Sequence, residues 1–502
     1  MALISAGVET TEIDLTSTIN NASTGRAALV GQFAWGATDV IKQITSEAEL
    51  VRFYGAPTDG TFASFFSAAN FLSYGNDLRV LRAVRSDATA ASYISSGLSA
   101  KYVGEFGNRL SIEILNGGSF LSEYAAYHPY QLEESENVIV VRLDGEVVES
   151  HFVAIFRGEK DIYNNNLYVQ DVLERSSNYL IHDGTSEPLL AVDTFMNGGS
   201  DGVADDLPAA YTLALDAFED RYSLYANLFI AGDAAEVGDN VVTKLIDIME
   251  LRQDAIAFIS PRKVDVVDAS DVGAAITNIT NYKFEVNINS TYVSMDGNYK
   301  YQYDKYNDVY RWVPLNGDIA GLCVFTDNVA APWFSPAGVN RGQIRGVTKL
   351  ALTTNQSFRD SLYEAGINPV VAFSGQGFFL YGDKTTSTRP TAFDRINVRR
   401  LFNVLKKAIS DSSQFSLFEL NDNFTRVSFK AEVDQYLQSI KAQRGILDFF
   451  VVVDETNNTA QVIDTNNFIA DIYIKPARSI NFIHLNFIAT GSGVDFEELL
   501  TR

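Results

Sequence analysis

The spacing of apolar positions changes several times along the chain, and each change predicts a different kind of element. Ala27–Gly31 is an uninterrupted apolar run, the pattern of a strand covered on both faces. Ser46-Glu-Ala-Glu49 has the form of a capping box and predicts a helix that stops near Gly55 and Pro57. Phe62, Phe65, Phe66, Ala69 and Leu72 recur at helical spacing up to Gly75, a stripe read as core packing, and residues 78–84 return as a strand. The N-terminal part is therefore alternating α/β.

Between about 90 and 197 the period falls to two. Leu110-Ser-Ile-Glu-Ile-Leu115, Val138-Ile-Val-Val-Arg-Leu143 and residues 146–156 alternate, with Asp144-Gly145 as a tight hairpin signal. The pattern predicts an inserted β-sandwich or small barrel, closed by the glycine-rich loop Asn197-Gly-Gly-Ser-Asp-Gly202. Helix-then-buried-strand order resumes at 246–251 and 255–260 and ends at Pro261. Residues 292–312, rich in Tyr, Asp and Asn, predict an exposed hairpin or loop.

The last third is again helical in period. Asn355 is placed to cap a helix running to Gly366, with Phe358, Leu362 and Ala365 on one face, and residues 370–373 and 378–381 read as strands. Val398, Leu401, Phe402, Leu405 and Ile409 form an apolar stripe that leaves Arg399, Arg400, Lys406 and Lys407 on the face expected to point outward. A second helix carries Val433, Tyr436, Leu437 and Ile440 up to Gly445. Three strands are predicted after it, at 446–453, 460–463 and 469–474, with a turn at Asn457-Asn458.

The two ends read as strands without a local partner. Val8-Glu-Thr-Thr-Glu-Ile-Asp-Leu15 is polar and β-branched, and no turn joins it to Ala27–Gly31. Near the other end Ile483, Leu485 and Phe487 share one face, while Phe482 and Ile488 lie on the other with His484 and Asn486. Unpaired strands invite a second chain. Val8, Thr10, Glu12, Ile13, Leu15, Phe482, Ile483, Leu485 and Phe487 are accordingly the candidate residues for strand donation between subunits.

Composition narrows the classes. At 502 residues the chain can bury three or four cores. A net charge of −24, from 63 acidic and 39 basic side chains, argues against general nucleic-acid binding. The single cysteine, Cys323, cannot form an internal disulfide, which suits a reducing cytoplasm. Neither a signal peptide nor a membrane span is expected. His128, His151, His182 and His484 stand far apart and in no ligand spacing, so no metal, cofactor or catalytic residue is expected. Gly198-Gly-Ser-Asp-Gly202 matches the nucleophile-elbow pattern at Ser200 but lacks a following helix. In Gly377-Phe-Phe-Leu-Tyr-Gly-Asp-Lys-Thr385 an aspartate, Asp383, separates the glycine and lysine that a phosphate loop keeps adjacent.

Several words in fixed order add a resemblance. Thr24-Gly-Arg-Ala-Ala-Leu-Val-Gly-Gln-Phe-Ala-Trp-Gly36, Ile44-Thr-Ser-Glu-Ala-Glu-Leu50, Phe53-Tyr-Gly55 and Leu78-Arg-Val-Leu-Arg-Ala83 resemble the opening of contractile tail sheath proteins of tailed bacteriophages. Ala365-Gly-Ile-Asn-Pro369, residues 377–385, Ile396-Asn-Val-Arg-Arg-Leu401 and Asn421-Asp-Asn423 resemble that family's C-terminal half. The likeness covers roughly 1–90 and 330–500.

It implies a multidomain α/β and α+β fold: a subtilisin-like α/β core built from N- and C-terminal parts, an inserted β-rich domain, and extended terminal strands. The implied divisions are an extension at 1–20, the N-terminal part of the core at 21–90, the insertion at 91–197, the subtilisin-like domain at 198–390, a C-terminal α+β domain at 391–479, and a strand and tail at 480–502. By the same resemblance the chain would polymerise as stacked hexameric rings around an inner tail tube and meet baseplate and tail terminator proteins, with no nucleic acid and no membrane insertion. It would be made in the host bacterial cytoplasm, reside in the virion, and contract to drive the tube through the host envelope. Between Ala392 and Lys407 five basic side chains face one acid, Asp394, which makes Arg399, Arg400, Lys406 and Lys407 candidates for facing the tube. A non-viral injection particle's sheath, a serine hydrolase on the subtilisin-like fold, and a cell-surface lattice protein are the other readings.

Overall fold

The computed structural model describes residues 19, 24–93, 96–116, 136–160, 163–185, 189–190, 192–222, 224–482 and 485. Its centre is a six-stranded sheet. The strands run Val293–Met295, Ile256–Ile259, Leu228–Ile230, Ala27–Gly31, Leu78–Arg82 and Lys42–Ile44 in spatial order. The first five are mutually parallel, and Lys42–Ile44 pairs antiparallel at the edge. Segments from before and after residues 90–200 thus share one sheet.

Alternation divides the sheet's side chains between two cores. Ala28, Val30, Phe229, Ala257 and Ile259 face one side, against the helices Leu207–Asp216, Asp239–Arg252 and Val272–Glu285. Ala27, Leu29, Leu228, Ile230 and Phe258 face the other, against Phe62–Leu72 and Asn316–Val329. The aromatic stripe of Phe62–Leu72 is core, as its spacing predicts. The helix Glu47–Tyr54 begins at Ser46, whose hydroxyl accepts from the Glu49 N–H at 3.2 Å. The Glu49 carboxylate reaches back one residue further than a capping box, to the Thr45 N–H at 2.8 Å.

Helix Asn316–Val329 is fastened to the sheet's carboxyl ends by a buried polar cluster. Ser260 Oγ accepts from the N–H groups of Leu315 (3.1 Å) and Asn316 (3.0 Å) and donates to Asp296 Oδ2 (2.6 Å). One turn on, Asp318 pairs with Lys300 at 2.8 Å, both side chains essentially inaccessible to solvent. Burial, assisted by the Asp318 charge, pushes the Asp296 carboxyl up to about 7 from 3.8. Between pH 4 and 7 the folded chain then holds a proton that the unfolded chain releases, so this contribution to stability is full below pH 4 and lost as pH rises through 7. Asp296→Asn is expected to remove that dependence: wild-type stability relative to the variant falls by on the order of 4 kcal/mol between pH 4 and 7. Calorimetry of both chains across this range checks it.

The region between the two halves of the core contains two further sheets. One is antiparallel in the order Val192–Phe195, Leu110–Asn116, Glu136–Leu143, Glu146–Ala154, and the other joins Ser92–Tyr93, Leu98–Ala100 and Leu180–His182. Both contribute to one apolar cluster, which also takes Val169, Val172 and Leu173 from the helix Val169–Ser176, an element the period-two pattern gives no sign of. Asp144 (φ 52°) and Gly145 (φ 91°) form the expected hairpin turn.

Two other expectations change. Residues 292–312 contain the expected hairpin, Tyr299–Asp304 with Val309–Pro314, but it is not exposed throughout: Tyr299, Lys300, Gln302 and Asp304 point inward, leaving Tyr303 and Tyr310 outside. And residues 460–464 are one turn of helix, Ala460–Asp464, so that Ile446–Val452 pairs directly with Asp471–Pro476.

Candidate assembly interface

The C-terminal unit is built by two helices and that hairpin. Asp422 caps the helix Asn423–Ala442 by accepting from the Thr425 N–H at 2.9 Å, and Phe429, Val433, Tyr436, Leu437 and Ile440 line its buried face. These residues meet Leu401, Leu405 and Ala408 of the helix Ile396–Ser413, and the inward row of the hairpin at Val451, Ile472 and Ile474. The outward row leaves Leu447, Phe450 and Tyr473 exposed, with Phe450 directly opposite Tyr473.

Among the described residues this sheet has two strands, so each presents an outer row of backbone N–H and C=O groups with no described strand beside it. Large apolar side chains crowd the same end of the molecule. Phe415, Leu417, Leu420 and Phe424 are exposed, and Phe418 stands fully in solvent with a left-handed backbone (φ 70°), a conformation costing about 1–2 kcal/mol for a bulky residue. Open edges beside exposed apolar groups make a surface that a second chain can cover.

The chain's exit toward its C-terminus is anchored. The Asp383 carboxylate accepts from Arg395 Nη1 (3.0 Å), Ser479 Oγ (2.9 Å) and Asn481 Nδ2 (3.0 Å). Sequence offered Asp383 only as the residue that spoils a phosphate loop; nothing local signals that Arg395, Ser479 and Asn481 converge on it. Beyond this clamp Phe482 and Leu485 are each 72% exposed, and neither is in a strand in the isolated subunit. Val8, Thr10, Glu12, Ile13, Leu15, Ile483 and Phe487 lie outside the described residues.

The four basic residues of the helix Ile396–Ser413 do not form the outward row expected of them. Arg399 is 5% exposed, held between the rings of Tyr292 and Phe393 with its Nη2 donating to Thr291 at 2.7 Å; burial pulls its pKa down. Arg400 is 3% exposed and donates from both Nη atoms to Asp327, at 2.8 and 2.6 Å. Burial is the largest influence and opposes its charge, but the Asp327 carboxylate, with smaller help from Cys323 and Tyr225, holds the guanidinium pKa raised. The helix is packed on the core as well as on its own unit, which is why an apolar stripe alone misplaces these arginines. Lys406 has an exposed stem, but its Nζ donates to the Gln253 carbonyl and lies near the Tyr292 ring, and burial pulls its pKa down to about 8; Lys407 pairs with Asp411 at 2.7 Å.

A cleft of about 850 Å³ at the carboxyl ends of the parallel strands is the place where an enzyme of this architecture would work. Of its three carboxylates, Asp205, Asp233 and Glu236, Asp233 is buried, accepts from Tyr211 OH at 2.6 Å, and has its pKa raised by burial. Gln32 and Arg85 also line it. Ser200 does not line the cleft itself but sits at its rim, bridged to Thr89, with its Oγ accepting at 3.1 Å from the N–H of Gly202, which does line it. His182 Nδ1 accepts from the Gly184 N–H, and His151 sits between Glu149 and Ser176. Gly377–Leu380 is a hairpin strand against Val370–Phe373. Among the described residues no cluster of three metal-ligating side chains occurs and no helix is long and apolar enough to cross a membrane.

Comparison with known proteins agrees in all three parts of the chain outside the β-rich middle. Residues 24–83 match the tail sheath protein Gp18 domain III N-terminal region, 208–386 the phage tail sheath protein central domain, and 388–490 the phage tail sheath C-terminal domain. The tail sheath protein of Vibrio phage KVP40 is 38% identical over an alignment of 679 positions that covers all of both chains. That of Enterobacteria phage T4 is 37% identical, covering 99% of each. These alignments are longer than the 502 residues here, so both relatives carry segments this chain lacks. Among solved structures, the sheath tail protein of Listeria innocua superposes with a TM-score of 0.61 at 12% identity, covering 92% of this chain and 93% of its own. The sheath of an extracellular contractile injection system in its contracted state gives 0.57 at 13%, covering 99% of both.

Proposed function

The chain belongs to the phage tail sheath protein family, structural subunits of contractile tails, and from that premise we propose how it assembles and works. It stacks as six-subunit rings around an inner tail tube, between a baseplate and a terminator. Its neighbours are joined to it by terminal strands donated to the open edges of the hairpin Ile446–Val452 and Asp471–Pro476. The observation that carries this reading is the two-stranded sheet itself, which among the described residues has no strand on either outer edge, together with the exposure of Ile480, Phe482 and Leu485. Heterologous contacts of this kind generate rings and helices. If the donated strands stay hydrogen-bonded while the rigid bodies rotate, the polymer shortens without parting, and the free-energy difference between two packings drives the tube through the host envelope without a nucleotide. Electron microscopy of the purified protein tests it: hollow tubes or rods of six-fold cross-section are expected, and a persistently monodisperse particle contradicts the reading.

The six-stranded sheet with helices on both faces is, on this account, a subtilisin-like core used as a rigid body. Support for a non-catalytic core comes from Ser200, whose Oγ accepts from the Gly202 N–H, and from His151 and His182, which are engaged within the β-rich region by Glu149, Ser176 and Gly184. The divisions of the chain follow the same logic, with residues 91–197 on the outside of the tube and 391–479 forming the shared mesh. Synthesis in the host cytoplasm precedes incorporation into the virion.

Tube contact, where the helix Ile396–Ser413 takes part, narrows to Lys406 and Lys407, the two whose side chains reach the surface, and requires the Lys406 ammonium to leave the Gln253 carbonyl; Arg399 and Arg400 are buried. Surface pairs are worth about 0.2–1 kcal/mol each, an adhesion weak enough to release during contraction. Lys406→Glu with Lys407→Glu is expected to leave the melting temperature within about 2 °C of wild type and to abolish ordered growth on tubes. Normal extended tails from the double variant would remove this helix from the tube interface.

A further inference from the structure

A groove adjoins the open end of the hairpin and shares Ile446, Leu447, Lys475 and Pro476 with it. Its volume is about 1530 Å³, and it runs between the loop 333–341, the end of the helix Asn423–Ala442 and the outgoing chain at 475–481. Trp333 and Phe334 supply apolar wall, and Arg341, Arg444, Lys475 and Arg478 supply positive charge. The carboxylates along the groove are already matched: Asp448 by Lys441 at 2.9 Å and Asp383 by Arg395 at 3.0 Å. Among the described residues none of the four cations has an ion-pair partner; Arg341 only donates to the Ser335 carbonyl at 2.9 Å and, like Arg444, lies near the Phe334 ring. On a chain of net charge −24, four unmatched cations around one groove call for an anionic occupant.

The chain carries a segment with that chemistry. Residues 494–498 read Val-Asp-Phe-Glu-Glu, so that in extended form Val494 and Phe496 fall on one face and Asp495 and Glu497 on the other. One face suits the apolar wall and the other the cations. The described chain passes out along this groove, with Asn481 in its lining. The stretch from Asn481 to Asp495 can span up to roughly 45 Å, enough to fold back across the groove. A tether this short also gives an effective concentration of about millimolar.

We propose that the acidic segment 494–498 docks in this basic groove of its own subunit before assembly, as a latch displaced when the subunit joins the polymer. The latch goes beyond strand donation and fails separately from it, since donation joins backbone edges between subunits in the polymer, whereas the latch pairs side chains within one free subunit.

Disulfide trapping tests the latch, because Cys323 is buried and leaves introduced thiols to report alone. The full chain with Lys475→Cys and Glu497→Cys is oxidised while dilute. An intramolecular disulfide is expected to form about tenfold faster than in a control pairing Glu497→Cys with Glu174→Cys, on the exposed face of the helix Val169–Ser176. Adding Arg444→Glu and Arg478→Glu is expected to bring the rate down to the control, and adding Asp495→Lys and Glu498→Lys to that chain to restore it. All these positions are at the surface or outside the described residues, and unchanged circular dichroism confirms the fold. A rate equal to the control, disulfides formed only between subunits, or faster trapping of Glu12→Cys than of Glu497→Cys would each overturn the proposal. Truncated chains that still form tubes would sink strand donation while leaving the trapping result untouched.

Discussion

Removal of residues 1–20, or of everything after Asn481, is expected to leave a folded subunit that no longer forms tubes. Among the described residues, the apolar clusters of the sheet, the β-rich region and the C-terminal unit are made by residues 27–474, joined by Ile19 at the C-terminal unit. The truncated chains therefore keep their main calorimetric transition, shifted by no more than about 2–4 °C. Assembly is affected far more. A donated strand making about five backbone hydrogen bonds, at about 0.5–1.5 kcal/mol each, contributes roughly 3–7 kcal/mol per contact. Its loss raises the concentration needed for polymerisation at least about a hundredfold. Sedimentation and electron microscopy read this, and loss of the calorimetric transition in either truncation would show that the ends belong to the fold.

Arg400→Ala is expected to destabilise the subunit by about 3–5 kcal/mol, because it strands Asp327 in a site where both partners are almost fully buried. The pair ties the helix Ile396–Ser413 of the C-terminal unit to Asn316–Val329 of the core, so its loss loosens the joint between two bodies. Replacing both partners with apolar residues, Arg400→Met with Asp327→Leu, is expected to recover most of the loss, since no charge is then left unpaired. Denaturant titration of the three chains separates these cases. A cost below about 1 kcal/mol for Arg400→Ala would mean that the pair behaves as a solvated one. Arg400→Glu places two carboxylates together in the same site and reports on folding, whatever its effect on tails.

Where one element's pattern fixes its own environment, the sequence was a sufficient guide. Ala27–Gly31 is buried because an unbroken apolar run can be satisfied only by cover on both faces, and Asp144-Gly145 turns a hairpin because both adopt positive φ. The open C-terminal sheet was only partly legible, since the second strand was placed through 460–463. There Asn458 docks the connecting loop instead, its amide donating to the Ile469 carbonyl and its oxygen accepting from the Ile469 N–H, both at 2.8 Å. Side chains whose partners come from distant elements could not be read at all. Arg400 meets Asp327 from 73 positions away, and Asp383 meets Asn481 from 98. Lys300 and Asp318 look like surface charges until the hairpin and helix that carry them are packed together.

Backbone hydrogen exchange at the hairpin, compared between free subunits and assembled tubes, is the most direct measurement of strand donation. The outward-facing amides of Ile446–Val452 and Asp471–Pro476 are expected to exchange freely in the subunit and to become protected on assembly, while those already bonded across the hairpin change little. Edge amides that exchange as fast in the tube as in the free subunit would contradict the account.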